Sequence, residues 1–229
     1  MRNPRAAKLV FIDQTGVRHV TDEVYLELVR ASACDFLFFI SSSTLDRFHD
    51  HRAIKQRIDR PVDYHHVHRA ALKYYRSLLP KGKRYFLAPF SIKKGSNIYG
   101  IIFGSAHPLG IDKFLQVAWG KDEISGEADF DINRENFRPG EIPLFPEMRP
   151  SKITAFETEL EGLLRDGSLS NELDVMQVCF DHGVKRQHAA PVLKKLKTEG
   201  VIHLDFRVPD IRRIDRPRTI RNTVTDPSR

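Results

Sequence analysis

Two apolar runs of strand length, separated by one segment of helix length, constrain this chain more than any other feature. Lys8-Leu-Val-Phe-Ile12 leads into Asp13-Gln14-Thr15-Gly16, and Asp35-Phe-Leu-Phe-Phe-Ile40 follows a stretch that ends at Arg30. A strand, a helix and a second apolar strand form a βαβ unit, which calls for parallel pairing and cover on both sheet faces. Thr21 is placed to cap the helix, and Val24, Leu26, Leu28 and Val29 give it apolar contacts. Ligands of open α/β sheets sit beyond the carboxyl ends of the strands, here at Asp13 and at Ser41-Ser42-Ser43. The glycine-rich turn that cradles a cofactor is expected ahead of Lys8, where only seven residues stand. The chain is therefore expected to carry the back half of a cofactor-binding sheet.

Further along, Thr44 to Gln56 and Tyr64 to Leu79 read as helices broken at Arg60-Pro61. Tyr85–Phe90 and Ile98–Phe103 flank a Gly-Ser-Asn turn and predict an antiparallel hairpin, with Pro89 marking its strand as an edge or a bulged one. Pro108 to Trp119 predicts a helix with Ile111, Phe114, Leu115 and Ala118 on one face. Residues 121–150 read as a connector in which Pro139, Pro143, Pro146 and Pro150 block regular structure. Beyond it, 153–165, 171–180 and 186–199 predict three helices, and 201–208 alternates as a strand. That order is the order of a winged helix-turn-helix. Residues 209–229 hold Pro209, Pro217 and Pro227 with little apolar content, and read as a mobile basic tail.

Charge is segregated. Residues 1–181 hold 25 Lys/Arg and 25 Asp/Glu, whereas residues 182–229 hold 12 Lys/Arg and 5 Asp/Glu, so the whole net charge of +7 lies in the last 48 residues. Such an end is the electrostatic footprint of a polyanionic partner, DNA or RNA, with a solvated basic tail as the alternative. Candidate contacts are Lys93 and Lys94 on the hairpin tip, Lys185, Arg186 and His188 at the start of the third helix, Lys194, Lys195 and Lys197 further along it, and Arg207, Arg212 and Arg213 after it. Two cysteines, Cys34 and Cys179, make neither a disulfide framework nor a thiolate metal site, which fits a reducing cytoplasm. No run approaches the roughly 18 apolar residues of a membrane span.

Asp13 is the one candidate for catalysis, as a strand-end carboxylate that holds a substrate amine or acts as a base. Its alternative is a turn cap on Thr15. His49, His51, His65 and His68 include an i, i+3 pair, His65 and His68, that would share a metal on a helix. No cysteine cluster or fitted carboxylate supports such a site, so no metal is expected. His107 follows a strand and precedes a helix, which suits a side chain aimed into a cleft or a helix cap, the cap being favoured.

Three segments, 11–16, 35–48 and 98–110, resemble the three-Cys-motif partner (TcmP) family, and the likeness spans roughly residues 8–208 with Ser105-Ala-His-Pro-Leu-Gly110 its most distinctive part. The resemblance implies a methyltransferase-like fold and, as partner, a radical-SAM-like three-cysteine protein, in mobile-element or defence loci. The family's Asp-Pro-aromatic-Gly turn reads Asp13-Gln14-Thr15-Gly16 here, and the loop for S-adenosylmethionine does not align. The expected fold is thus α/β: a partial methyltransferase-like (Rossmann-type) mixed sheet with a helical insertion over 1–120, a connector over 121–150, a winged helix over 151–208 and a tail over 209–229. The expected function is a non-catalytic, nucleic-acid-associated partner protein. The alternative is half of a split S-adenosylmethionine-dependent nucleic-acid methyltransferase, its cofactor site completed by another chain. Enzymatic activity stays open between the two. The apolar strands also lead us to expect a missing N-terminal half or self-association to cover the sheet.

Overall fold

The computed structural model describes residues 6–12, 21–41, 67–94, 97–123, 126–127 and 152–223. The chain divides into two units, Met1–Ile132 and Asn133–Arg229. It is mixed α/β, with a four-stranded mixed sheet and six α-helices among the described residues. No helix of these residues is long and apolar enough to cross a membrane.

The first unit is built on β1 (Lys8–Ile12), β2 (Cys34–Ser41), β3 (Phe86–Lys94) and β4 (Asn97–Ser105), arranged β1-β2-β4-β3. β1 and β2 pair in parallel through α1 (Asp22–Arg30), while β2–β4 and β3–β4 are antiparallel. Thr21 caps α1, its Oγ1 accepting from the Val24 N–H at 3.4 Å. The hairpin places β4, not β3, beside β2. That leaves β3 at the edge, where the missing N–H of Pro89 costs no ladder bond.

Alternation along β2 sorts its side chains onto two faces. Phe36, Phe38 and Ile40 meet Tyr25, Leu28 and Val29 of α1 and Ala71, Leu72 and Tyr75 of α2 (Val67–Ser77). Leu37 and Phe39 face the other way, toward Phe90, Ile101 and the side chains Phe114 and Ala118 of α3 (Pro108–Lys121). Full burial of each large apolar side chain contributes about 1.5–3 kcal/mol, so the double cover around β2 and β4 dominates the stability of this unit. β1 lies outside it. Leu9 and Phe11, on the face of Leu37 and Phe39, are 72% and 61% exposed.

The opposite edge is closed by a side chain. Glu127 Oε2 accepts from both the N–H and the Oγ of Ser91, at 2.7 Å each. Gly126 makes this approach possible: its φ is +65°, and a Cβ there would sit 2.4 Å from the Trp119 indole. The α/β unit therefore runs past the boundary expected at residue 120.

In the second unit, α4 (Lys152–Arg165) buries Phe156, Leu160 and Leu164 at four-residue spacing. α5 (Glu172–Asp181) opens with a capping box between Asn171 and Asp174. The third helix differs from the expected span: Arg186–Ala189 form a 3-10 turn, and α6 runs from Ala190 to Thr198. Pro191 is the reason. An α-helix continuous from Arg186 needs an N–H at 191 for the carbonyl of 187, whereas in the first turn of α6 its absence costs nothing.

The segment after α6 also departs from expectation. The alternating run 201–208 forms a strand only at β5 (Ile202–His203), whose partner β6 (Arg221–Asn222) is equally short. Beyond His203, the Leu204 carbonyl accepts from Lys197 Nζ at 2.9 Å instead of continuing a ladder. The expected mobile tail is structured from 209 to 223: Ile211 and Ile220 are buried, and Thr219 bridges to Asn171. Polar composition concealed two well-spaced apolar anchors.

Candidate nucleic-acid interface

The second unit sorts its basic side chains by the acids that its helices place beside them. Glu161 on α4 stands between Arg165, one turn on, and Lys195 of α6; both approach it at 2.8 Å. Arg165 also pairs with Glu199. The hydrogen bond from Lys195, then that from Arg165, lowers the Glu161 carboxyl, so this cluster stays ionised and its charges cancel locally. Asp210 holds Arg212 at 3.0 Å and Arg213 at 4.0 Å, and its carboxyl falls to about 2 chiefly through the Arg212 side chain.

Other expected contacts serve the fold. Arg186 Nη1 donates to the Pro209 carbonyl at 2.8 Å, and Lys197 holds Leu204 as described. Burial, with Lys185 and Lys152 nearby, pushes the His188 imidazole down to about 4, so it carries no charge at neutral pH. Lys185 is half-buried at the entry to the 3-10 turn. Lys194 and Arg207 are exposed and have no ion-pair partner among the described residues. Lys93 and Lys94 end β3 in the other unit, and their side chains lie outside the described residues, as does Asp13.

The structure also assembles a basic cleft, and of its arginines only Arg213 is among the candidates named from sequence. His203, Leu204 and Asp205 on one side, and Arg213, Arg216, Pro217, Arg218, Thr219 and Arg221 on the other, line a volume of about 490 Å³. Arg218 is fixed there. Its guanidinium lies 4.7 Å from the Phe206 ring centroid and 2.6 Å from the buried Glu172 carboxylate. Burial alone would raise Glu172, but hydrogen bonds from Arg218 and from the Asp210 and Arg218 N–H groups hold it below its usual value. Arg216 and Arg221 are exposed and have no ion-pair partner among the described residues. The available signal was five arginines between 212 and 221.

The histidine reading falls elsewhere. His49, His51 and His65 lie outside the described residues. His68 is buried in the first unit with Nε2 3.7 Å from Glu127 Oε1, and a Cβ at Gly100 would meet its Cβ at 2.8 Å. Glu127 sits between the Ser91 hydroxyl and the His68 ring, so the imidazole is not placed to take a proton from Ser91 as in a nucleophilic triad. Among the described residues no group of three His, Cys, Asp or Glu side chains is arranged to hold a metal. His107 caps α3, its Nδ1 accepting from the Leu109 N–H at 3.1 Å.

Comparison of the chain with protein-family models, curated proteins and solved structures gives no match.

Proposed function

We propose that the chain is a nucleic-acid-associated partner protein of the three-Cys-motif partner kind, without catalysis of its own, serving a mobile-element or defence system. Its second unit acts as a winged helix, with α6 as the helix that approaches the nucleic acid and the β5–β6 segment as the wing. The observation that carries this reading is the set of exposed cations Lys194, Arg207, Arg216 and Arg221, which have no acidic partner among the described residues, within the last 48 residues, whose own balance is +7. Cations already paired add little to a long-range field, whereas these four are available to phosphates. The test is fluorescence anisotropy of the whole chain with single- and double-stranded oligonucleotides across a salt series. Binding that weakens linearly in log–log form, with a shallower slope in Lys194→Ala/Arg207→Ala, supports the reading. No binding to either form at low salt overturns it.

A second reading, half of a split S-adenosylmethionine-dependent nucleic-acid methyltransferase, is favoured by β1. This edge strand belongs to the parallel pair and exposes Leu9 and Phe11, which suits cover by another chain. Calorimetric titration with S-adenosylmethionine tests it. The chain alone should bind more weakly than about 100 μM, and gain affinity only with its completing partner.

A further inference from the structure

We propose that the arginine cleft of the second unit holds the terminal phosphate of a nucleic-acid strand, so that the protein engages strand ends. The inference rests on the nucleic-acid reading above and names the ligand group at one of its sites. Its walls are the β5 segment His203–Asp205 and the chain from Arg213 to Arg221 that returns to β6. A volume of about 490 Å³ lies within the range of small-ligand sites, roughly 300–1,000 Å³, and is large enough for one nucleotide.

Charge selects the group. Four arginines line the cleft with one acid, Asp205, and Arg218 is already neutralised by Glu172. Arg213 is shared with Asp210 at 4.0 Å, at the limit of an ion pair. Arg216 and Arg221 have no such partner among the described residues; with Arg213 only loosely held by an Asp210 that Arg212 already pairs, and with Asp205 set against them, between about one and two positive charges are left to a ligand. A terminal phosphate monoester carries about −1.5 to −2 near neutral pH, whereas an internal phosphodiester carries about −1. Its extra oxygens also suit the forked donors of Arg216 and Arg221. Thr219 adds a hydroxyl, and the Arg218 guanidinium is a fixed wall, held by Glu172 and Phe206. Asp205 lines the same cleft and opposes anions, which sets a sign that mutation can reverse.

Calorimetry with short oligothymidylates bearing a 5′-phosphate, a 3′-phosphate or neither tests the assignment. A terminally phosphorylated strand should bind about tenfold more tightly than the strand without one, the scale of a charge-assisted hydrogen bond. Arg216→Ala/Arg221→Ala, both exposed positions, should remove that preference without changing the melting temperature, and Asp205→Asn should enlarge it. Equal affinity for all three strands overturns the cleft assignment and leaves the broader reading intact. If no strand binds, the broader reading fails and thymidine 5′-monophosphate reads the cleft alone. Binding that disappears in the double variant then supports the phosphate site, and no binding overturns it. Competition by inorganic phosphate as effective as that by the mononucleotide assigns the site to free phosphate and overturns the strand end.

Discussion

Glu172 and Arg218 hold each other through side chain and backbone together. Arg218 donates to the Glu172 carboxylate from its N–H, Nε and Nη2 at 2.9, 3.1 and 2.6 Å, and the Glu172 N–H donates to the Arg218 carbonyl at 2.9 Å. The Asp210 N–H completes the set at 3.0 Å. One residue in the first turn of α5 thereby fixes, at Asp210 and at Arg218, the chain that forms one wall of the arginine cleft.

Replacing Glu172 with Ala leaves the Arg218 guanidinium without its partner and two backbone donors without their acceptor. Loss of one member of a buried pair costs about 3–5 kcal/mol. Hydrogen exchange should show the amides of Asp210 and Arg218 losing protection first. Unchanged protection at both would remove Glu172 from this role.

Phe36 and Gly104 face each other across β2 and β4, and a Cβ at Gly104 would lie 2.2 Å from the Phe36 ring. The ring cannot retreat, since it stacks on Phe38 at 4.3 Å and on Tyr85 at 5.7 Å. Gly104→Ala should destabilise by about 1–3 kcal/mol through overpacking. Gly162 gives the opposite sign. It lies within α4 with open space where a Cβ would stand, so Gly162→Ala should stabilise by about 0.5–1 kcal/mol. Urea denaturation followed by circular dichroism measures both, and equal effects would sink the packing argument.

His188 gives the second unit a pH dependence of known sign. Its folded value, about 4, lies below the ordinary 6.5, with burial the main cause and Lys185 and Lys152 adding to it. Between these values the unfolded chain binds the extra proton. The stabilisation is complete above 6.5 and is lost as pH falls toward 4. Thermal melts from pH 7 to 4.5 should show a smaller decline for His188→Gln than for the parent. Parallel curves would show that His188 does not titrate in this way.

Local order was legible from residue patterns alone. The βαβ start followed from two apolar runs and a capped helix, and Thr21, Pro89 and His107 occupy roles that their chemistry dictates within a few residues. Three helices in the second unit were visible for the same reason, since helix periodicity is a short-range signal. Long-range pairing was not. Nothing near Phe36 announces Gly104, and nothing near Ser91 announces Glu127, because strand order and side-chain closure of an edge depend on chain returning from tens of residues away. The candidate site depends on the same long-range placement. The basic residues were countable in sequence, but charge is felt in space. Glu161, Asp210 and Glu172 neutralise some arginines and lysines, burial silences His188, and Arg216 and Arg221 are left facing the cleft. Sequence determined how much charge the second unit carries. Tertiary structure decided where that charge is available, because only folding sets the distances over which opposite charges cancel.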